Sequence, residues 1–305
     1  MQNYKNLSNK KILITGASGF IGSHLLRRLK KAGSKIYAIS RNDTNPNDKD
    51  IHWMRADVSD IIALKSIFEK VKPDIVFHLA SHVSGNRDIK QIDLTFKSNL
   101  LSTVNLLILV TQFNCERLIT IGSMEEPDVA SDGVPSSPYA AAKWASTGYC
   151  RMFFHLYHTP VVVAKLFMVY GPDQKDTTKL IPYVTTSLLQ NIPPKLASGK
   201  REVDWIYIDD VVEGLLKLST APGVIGEIIE IGSGQANQIR TVVEKLVRII
   251  KPNVLPLFHA IEDRPMEQVR VADIKKNQKF IYWKPSVSLD RGLARTVDWY
   301  KKHES

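Results

Sequence analysis

The 305-residue sequence has few cysteines, no long uninterrupted apolar run and no visible targeting segment. Two cysteines, Cys115 and Cys150, are too few for the disulfide framework that small secreted domains need. The longest apolar stretch, 100–113, is broken by polar residues and is too short to span a bilayer. The polar, basic segment 1–11 has no apolar region of a secretory signal. We therefore expect a cytoplasmic protein with no membrane partner.

Basic residues outnumber acidic ones, 41 against 31, which gives a net charge of +10. They are spread along the chain without interleaved aromatic residues, a pattern that does not favour a nucleic-acid partner. A phosphate-rich small ligand accounts for the same charge. The spacing of His, Cys and Asp residues indicates no metal site. His78 lies in an apolar run and is interpreted as a core residue rather than a catalyst.

Strand-like and helix-like segments alternate through the first half of the sequence. Apolar runs predict strands at 11–15, 35–40, 74–80, 117–122 and 160–167. Helical spacing of apolar residues predicts helices at 20–31, 61–71, 88–112 and 137–157. This alternation predicts an α/β fold with a doubly wound parallel sheet.

A glycine-rich turn directly follows the first predicted strand and opens the first predicted helix. Gly16 permits the tight turn, Gly19 lets the backbone approach a pyrophosphate, and Gly22 lets the helix pack close to the sheet. The free N–H groups at the start of that helix attract phosphates. The turn therefore predicts a dinucleotide site.

The end of the second predicted strand indicates which dinucleotide is bound. An NAD site usually has an acidic residue there for the ribose 2′-hydroxyl, whereas this strand ends in Ser40 and Arg41. An arginine can neutralise a 2′-phosphate, and a serine hydroxyl can donate a hydrogen bond to it. We therefore expect NADP(H) to be preferred. NAD(H), with Asp43 on the ribose, is the alternative.

Tyr139 and Lys143 are four residues apart at the head of a predicted helix, so they share one helix face. A phenol, with a pKa of about 10, is a poor acid–base group at neutral pH. The Lys143 ammonium is expected to lower the pKa of Tyr139. Ser123 follows a predicted strand, where its hydroxyl can bond a reacting carbonyl. Ser123, Tyr139 and Lys143 are called the catalytic trio below.

Eight segments in order make the sequence resemble the extended short-chain dehydrogenase/reductases that act on nucleotide sugars. They are the glycine-rich turn 15–22, 77–80, Asn99 with its neighbours, Ser123, 139–143, 169–172, 204–210 and 264–265. The resemblance covers nearly the whole chain. It implies a Rossmann domain, a smaller C-terminal substrate domain and a homodimer packed through two long helices.

Glycines and prolines break the alternation of strands and helices after Tyr170. Together with the resemblance, this predicts a dinucleotide-binding Rossmann domain over 1–170, to which 203–232 returns. The interleaved α/β substrate-binding domain is predicted over 171–202 and 233–305.

The motifs and the resemblance together indicate which residues contact each ligand. The cofactor is expected to contact Tyr139 and Lys143 as well as Gly16, Ser18, Gly19, Phe20, Ile21, Ser40, Arg41, Asp57, Val58, Leu79, Ala80, Ser81, Asn99, Ile121, Leu166 and Val169. The substrate, a nucleotide-diphosphate sugar, is expected to contact Ser81, His82, Ser123, Met124, Glu125, Met168, Arg201 and Arg264. In the family, an arginine at the position of Arg264 often grips the diphosphate.

Departures from the family pattern indicate the subfamily. The 4,6-dehydratases carry Thr-Asp-Glu where this chain has Ser123–Glu125, and the methionine between them cannot protonate a leaving hydroxyl. The stretch 118–126 is most similar to reductases of nucleotide-linked 4-keto-6-deoxyhexoses. The family's asparagine before its Val-Tyr-Gly-Pro turn is Met168 here. The arginine often found before Asp-Trp is Val203, a loss for which Arg201 can compensate.

The sequence therefore predicts an NADPH-dependent reductase of a nucleotide-linked keto-sugar, with hydride delivered to C4. Tyr139 would supply the proton, Lys143 would hold the pKa of Tyr139 down and bond the nicotinamide ribose, and Ser123 would orient the carbonyl. A 4-epimerase or a nucleotide-glucuronate decarboxylase, each with retained NAD, is the alternative among enzymes. A non-catalytic dinucleotide-binding regulator is the alternative of another class, although such a protein tends to lose the Tyr–Lys pair.

Overall fold

Seven strands form one sheet in the computed structural model, which describes residues 4–42, 48–128 and 133–303. In spatial order they are β3 (Ile51–Arg55), β2 (Lys35–Ser40), β1 (Lys11–Thr15), β4 (Ile75–His78), β5 (Arg117–Ser123), β6 (Val161–Leu166) and β9 (Ile228–Ile231). Each neighbouring pair from β3 to β6 is parallel. The predicted doubly wound α/β fold is confirmed. Strand β3 was not predicted, because its burial is mixed and its sequence has no continuous apolar run.

Helices follow most of these strands, and a second sheet is smaller. The helices are α1 (Phe20–Lys31), α2 (Ile61–Val71), α3 (Gln91–Thr95), α4 (Ser102–Gln112), α5 (Pro138–Tyr157), α6 (Leu180–Leu189), α7 (Ile208–Thr220), α8 (Ile239–Ile250), α9 (Ile274–Asn277) and α10 (Leu289–His303). The second sheet has the order β10 (Ala236–Gln238), β8 (Glu202–Tyr207), β7 (Met168–Tyr170). Strand β8 is parallel to β7 and antiparallel to β10.

By its contacts the chain divides into two units. Unit 1 draws on Met1–Leu166, Val212–Glu230 and Lys276–Trp283, and unit 2 on Phe167–Val211, Ile231–Lys275 and Lys284–Ser305. Of the segment 203–232 that was expected to return to the first domain, the part from Val212 to Glu230 lies in unit 1, while β8 belongs to the smaller sheet of unit 2. The division of cofactor and substrate between two domains stays a prediction.

Local sequence signals mark the residues at which helices α2 and α5 of unit 1 begin. The Asp60 side chain accepts hydrogen bonds from the N–H groups of Ile62 and Ala63, which caps α2. Ser137 accepts from the N–H of Ala140 at the start of α5, where Pro138 occupies the first turn. The core of unit 1 packs between the sheet and helices α2, α4 and α5, and each fully buried leucine contributes about 2 kcal/mol of transfer free energy.

The predicted helix 88–112 is one helical run, Gln91–Gln112, in which a π-helical segment, Phe96–Leu101, joins α3 to α4. By length and composition alone, its 22 residues are enough to cross a membrane. The stretch 100–113, judged by itself from the sequence, was too short to do so. Half of the apolar segment of this helical run is buried inside the protein, and Leu106 and Val110 are fully buried. These apolar side chains pack in the core of unit 1.

Hydroxyl groups explain the π-helical segment. The main-chain oxygen of Asn99 accepts from the Thr103 hydroxyl at 2.6 Å and from the Ser146 hydroxyl of α5 at 3.1 Å. These side chains satisfy a carbonyl in the widened turn, where the regular helix ladder is interrupted. The Asn99 side chain is thereby left to bond the segment after β4.

A buried carboxylate organises unit 2. Asp204 of β8 has no exposed surface, and its carboxylate accepts from the N–H groups of Ser233 at 2.6 Å, Gly234 at 2.9 Å and Ala272 at 3.0 Å. The Ser233 hydroxyl donates to the same carboxylate at 2.6 Å. One side chain therefore ties the turn after β9 and the segment before α9 to β8.

Replacing this carboxylate with an amide should destabilise the protein. In Asp204→Asn one acceptor oxygen becomes a donor that faces main-chain N–H groups, so we expect the free energy of unfolding to fall by about 3 kcal/mol. Urea unfolding measures the change. Asp209→Asn, the same substitution at an exposed position, should change it by less than about 0.5 kcal/mol. Equal losses in the two variants would contradict this role of Asp204.

Candidate functional site

Two positions around the glycine-rich turn between β1 and α1, Gly16 and Gly22, have room for glycine only. Gly16 has a φ of +69°, and a Cβ there would lie 2.5 Å from the Ala80 nitrogen. A Cβ on Gly22 would lie 2.2 Å from the Gly16 oxygen. Helix α1 begins after Gly19, which has no side chain to cap it, so the first N–H groups of the helix face outward for an anion. This cradle fits the pyrophosphate of a dinucleotide.

The predicted cofactor residues of unit 1 are brought to one edge of the sheet. They are 16–21 after β1, Ser40 and Arg41 at the end of β2, Asp57 and Val58 after β3, 79–81 after β4, Ile121 in β5 and Leu166 at the end of β6. Asn99 accepts from the Ser81 hydroxyl at 3.0 Å and from the His82 N–H at 2.7 Å, so it fixes the segment after β4. Carboxyl ends of parallel strands line the ligand crevice in open α/β sheets.

Arg41 is exposed and lies near an exposed carboxylate. The pKa of Asp57 is lowered chiefly by hydrogen bonds from Ser59, and the charge of Arg41 lowers it further. The N–H of Ser59 donates to Asp57 at 2.8 Å. Asp43, the alternative ribose ligand, lies outside the described residues. Arg41 therefore places a positive charge at the end of β2. Among the described residues of that strand end, no acidic side chain takes the position usual in NAD enzymes.

The three predicted catalytic residues, the trio, are assembled from β5 and α5. Ser123 is the last residue of β5, and its hydroxyl makes a hydrogen bond with Tyr139 and accepts from the N–H of Glu125 at 3.2 Å. Lys143, one turn after Tyr139, is 3% exposed and donates from Nζ to the Ile121 oxygen at 2.9 Å. Its Nζ lies 6.0 Å from the centre of the Tyr139 ring.

Burial dominates the protonation of this trio. It raises the pKa of Tyr139 to about 12, against the opposing effect of the Ser123 hydrogen bond. It also lowers the pKa of Lys143 to about 8. The expected lowering of the Tyr139 pKa is therefore not found: burial of the phenol raises this pKa, and the charges of Glu126 and Glu125 raise it further. At neutral pH Tyr139 holds its proton and Lys143 is mostly charged.

Two histidines near the trio have hydrogen-bond partners. His78 is 2% exposed and contacts the Thr15 hydroxyl at 2.8 Å, and burial lowers the pKa of His78 to about 3. It is a neutral core residue, as the sequence analysis interpreted it. His82 Nε2 lies 2.9 Å from Gln91 Oε1. The Met124 side chain is buried, with 2% of its surface exposed. Contact of Met124 and of Glu125 with the substrate stays a prediction.

In unit 2 the two predicted substrate arginines share one carboxylate. Arg201 lies before β8, and its Nη1 is 3.2 Å from Glu267 Oε1. Arg264 Nη1 is 4.0 Å from the same oxygen, and 63% of its side chain is exposed. Arg201 also donates to the Gln268 oxygen at 2.7 Å. Met168 and Val169, the other predicted contacts in unit 2, lie in β7 and are partly exposed.

One residue beside the trio was missed from the sequence. Glu126 is 1% exposed, and its Oε1 accepts from the Ser123 N–H at 2.6 Å. Two consecutive carboxylates, Glu125 and Glu126, follow β5 directly. This pair of adjacent acidic residues was the signal available in the sequence.

Comparisons with known proteins agree with this geometry. The model of the NAD dependent epimerase/dehydratase family matches residues 12–232. The chain is 28% identical to UDP-glucuronate 4-epimerase of Thermodesulfobacterium geofontis, over 95% of this chain and 96% of that protein. It is also 28% identical to dTDP-glucose 4,6-dehydratase of Escherichia coli, over 95% of this chain and 93% of that protein.

A solved structure extends the likeness to three dimensions. UDP-glucuronic acid 4-epimerase from Bacillus cereus, solved with UDP-glucuronic acid and NAD, matches with a TM-score of 0.84 and 26% identity. The match covers 96% of this chain and 99% of that one. Since the family match spans well over half of the sequence, the chain belongs to the NAD dependent epimerase/dehydratase family, the extended short-chain dehydrogenase/reductases that act on nucleotide sugars.

Proposed function

We propose that this protein catalyses reversible hydride transfer at C4 of a nucleotide-linked sugar, and that it does so as a 4-epimerase with a retained NAD. The observation that carries the proposal is the trio at the end of β5, on the same sheet edge as the glycine-rich turn. The likeness to UDP-glucuronate 4-epimerases supports a 4-epimerase in particular. UDP-glucuronate or UDP-glucose is the class of substrate to test first.

The residues of the trio have distinct tasks in this reaction. Tyr139 exchanges a proton with the sugar hydroxyl, and Ser123, hydrogen-bonded to it, orients the same oxygen. Lys143 keeps a positive charge beside the phenol, which favours the phenolate that forms when Tyr139 acts as a base. A bound NAD would supply the reversible hydride transfer at C4 that inversion of this carbon requires. Gly16, Gly19 and the start of α1 would hold its pyrophosphate.

The two arginines of unit 2 would bind the diphosphate of the nucleotide sugar. Nη1 of Arg201 and Nη1 of Arg264 lie 3.2 Å and 4.0 Å from the same Glu267 oxygen, which supports a shared anion as their ligand. Guanidinium groups bind phosphates through paired hydrogen bonds. The diphosphate would then replace or share the carboxylate as their partner.

The dehydratase activity of some relatives is not proposed for this chain. A 4,6-dehydratase needs a proton donor for the leaving hydroxyl, and the residue after Ser123 is Met124, a buried thioether. A thioether sulfur has no proton to give. This residue favours reactions in which the sugar keeps its C6 hydroxyl or never had one.

A second candidate is the NADPH-dependent 4-ketoreductase predicted from the sequence. Ser40 and the exposed Arg41 end β2 where NAD enzymes usually have an acidic residue, which supports a 2′-phosphate. The protonated state of Tyr139 suits the same reaction, because the phenol donates its proton in reduction. This candidate differs from the first in that the dinucleotide leaves after each turnover.

The expected homodimer is part of the proposal. Apolar side chains on the α3–π segment and on α5 are exposed: Ile92 by 51%, Phe96 by 49% and Trp144 by 41%. Apolar patches of this kind on helices mark protein–protein contacts.

The expected cytoplasmic location is also part of the proposal, since the relatives named above are metabolic enzymes.

The dinucleotide released on denaturation separates the two candidates. For the epimerase we expect stoichiometric NAD from the purified protein, because the cofactor is regenerated in each cycle. For the reductase we expect an empty protein that binds NADPH more tightly than NADH. Chromatography of the supernatant and equilibrium titration give the answer. A protein that neither contains nor binds a dinucleotide would contradict both candidates.

Removing the Tyr139 hydroxyl should abolish most activity. In Tyr139→Phe we expect kcat to fall by about 10²- to 10⁴-fold because proton transfer is lost, with dinucleotide affinity retained. Conversion of UDP-glucuronate and UDP-glucose, followed by NMR of the sugar, measures this. Tyr149→Phe, on an exposed position of the same helix, is the matched control. Full activity of Tyr139→Phe would refute the assigned role.

A methyl group on Gly19 should weaken dinucleotide binding without unfolding the turn. A Cβ there would meet only the Gly16 oxygen at 3.2 Å, and the φ of −78° suits alanine. It would still project where the backbone approaches the pyrophosphate, so we expect Gly19→Ala to weaken binding about tenfold. Titration with NADH measures the affinity. Gly148→Ala, with nothing within 4 Å, should bind normally, and equal affinities would contradict the cradle.

A further inference from the structure

Glu126 is a buried carboxylate that the reaction described above does not use. It lies three residues after Ser123 and is 1% exposed. Its Oε1 accepts from the Ser123 N–H at 2.6 Å. The carboxylate therefore holds the last peptide of β5, from which the Ser123 hydroxyl projects.

The space and the counter-ion for this carboxylate are supplied by neighbouring strands. A Cβ on Gly122 would lie 2.8 Å from Glu126 Oε1, so the side chain occupies the volume that glycine leaves open. Lys165 of β6, 14% exposed, places its Nζ 3.7 Å from Glu126 Oε2. Burying a carboxylate is unfavourable unless it is paired and hydrogen-bonded, and here both conditions are met.

The charge of Glu126 acts on the trio. It raises the pKa of Lys143, against the lowering by burial, and it raises that of Tyr139. Glu125 faces Tyr139 as well and acts in the same direction. Two further groups facing Lys143 stay neutral near pH 8: burial lowers the pKa of His78 to about 3 and raises that of Cys150 to about 12.

We propose that Glu126, with Lys165 as its counter-ion, is a positioning residue for the trio. Its carboxylate fixes the Ser123 peptide and sets a negative charge behind the catalytic hydroxyls. The inference rests on the proposed function only in that it treats the trio as catalytic. It requires that removing either charge changes the proton equilibrium of Lys143, and that the two changes have opposite signs.

The test follows the proton of Lys143 directly. The Cε resonance of Lys143 in protein labelled with ¹³C-lysine, assigned by its absence in Lys143→Arg, gives the titration midpoint without any substrate. Glu126→Gln keeps an oxygen for the Ser123 N–H but removes the charge, so the midpoint should fall by about one pH unit. Lys165→Met leaves the carboxylate unbalanced, so the midpoint should rise by a similar amount.

A matched control removes the carboxylate of Glu116, which directly precedes β5 at the end of the strand away from Ser123. Glu116 pairs with Lys10 at the surface, with 53% of its side chain exposed, and Glu116→Gln should leave the midpoint unchanged. Should Glu126→Gln fail to fold, Lys165→Met still carries the test, because that side chain reaches solvent. The proposal would be overturned by a midpoint that stays within 0.2 pH units in the folded variants, which corresponds to about 0.3 kcal/mol or less. It would also be overturned by midpoints that move the same way in both variants.

Activity assays keep this inference separate from the proposed function. If the midpoints move as expected but no nucleotide sugar is converted, the positioning role stands and the proposed function fails. If a nucleotide sugar is converted while the midpoints do not move, the proposed function stands and Glu126 has only a structural role. In the active protein, the pH at which kcat is half lost on the alkaline side should follow the midpoint of Lys143.

Discussion

A buried chain of hydrogen bonds through His78 joins β1, β4 and the first residue of α4 beneath the ligand edge of the sheet. One ring nitrogen contacts the Thr15 hydroxyl at 2.8 Å, and the other contacts the Ser102 hydroxyl at 3.2 Å. A neutral imidazole has one donor and one acceptor, which suits two hydroxyls, and burial keeps it neutral. Thr15 also accepts from the Ala80 N–H at 3.2 Å. This bond holds the segment after β4 beside the glycine-rich turn, where a Cβ on Gly16 would lie 2.5 Å from the Ala80 nitrogen.

Burial and charge oppose each other at the trio. A water-excluded site strengthens every hydrogen bond to a reacting oxygen, but it also disfavours both the phenolate of Tyr139 and the ammonium of Lys143. The carboxylate of Glu126 favours the ammonium and disfavours the phenolate. The arrangement thus keeps the proton on the tyrosine and the charge on the lysine. That state is ready to donate a proton, and forming the phenolate requires additional positive charge beside the ring.

The sequence predicted what depends on local pattern and missed what depends on distant partners. Buried strands give apolar runs, and helices with one buried face give apolar residues at helical spacing, so the bounds of β1, α1, β2 and α2 agree with the predictions to the residue. The π-helical turn at Asn99 depends on a hydroxyl of α5, Ser146, which is 47 positions away in sequence. The inward turn of Glu126 depends on the space at Gly122 and on a lysine of the next strand. The proximity of Ser123, Tyr139 and Lys143 could be predicted because strand ends and helix spacing are visible in the sequence, whereas the balance between burial and charge is not.

The two candidate reactions use the same trio, so the residues that distinguish them lie elsewhere. An epimerase must retain its dinucleotide through both hydride transfers, and a reductase must exchange it after one. In both candidates the adenosine half of the dinucleotide would lie at the ends of β2 and β3, near Arg41 and Asp57, rather than beside Tyr139. An exposed arginine with a carboxylate nearby binds a 2′-phosphate by exchanging one anion for another, which suits a ligand that comes and goes. The same cation gives an unphosphorylated ribose no charged contact, so retention of NAD would have to come from the pyrophosphate cradle and the segment after β4.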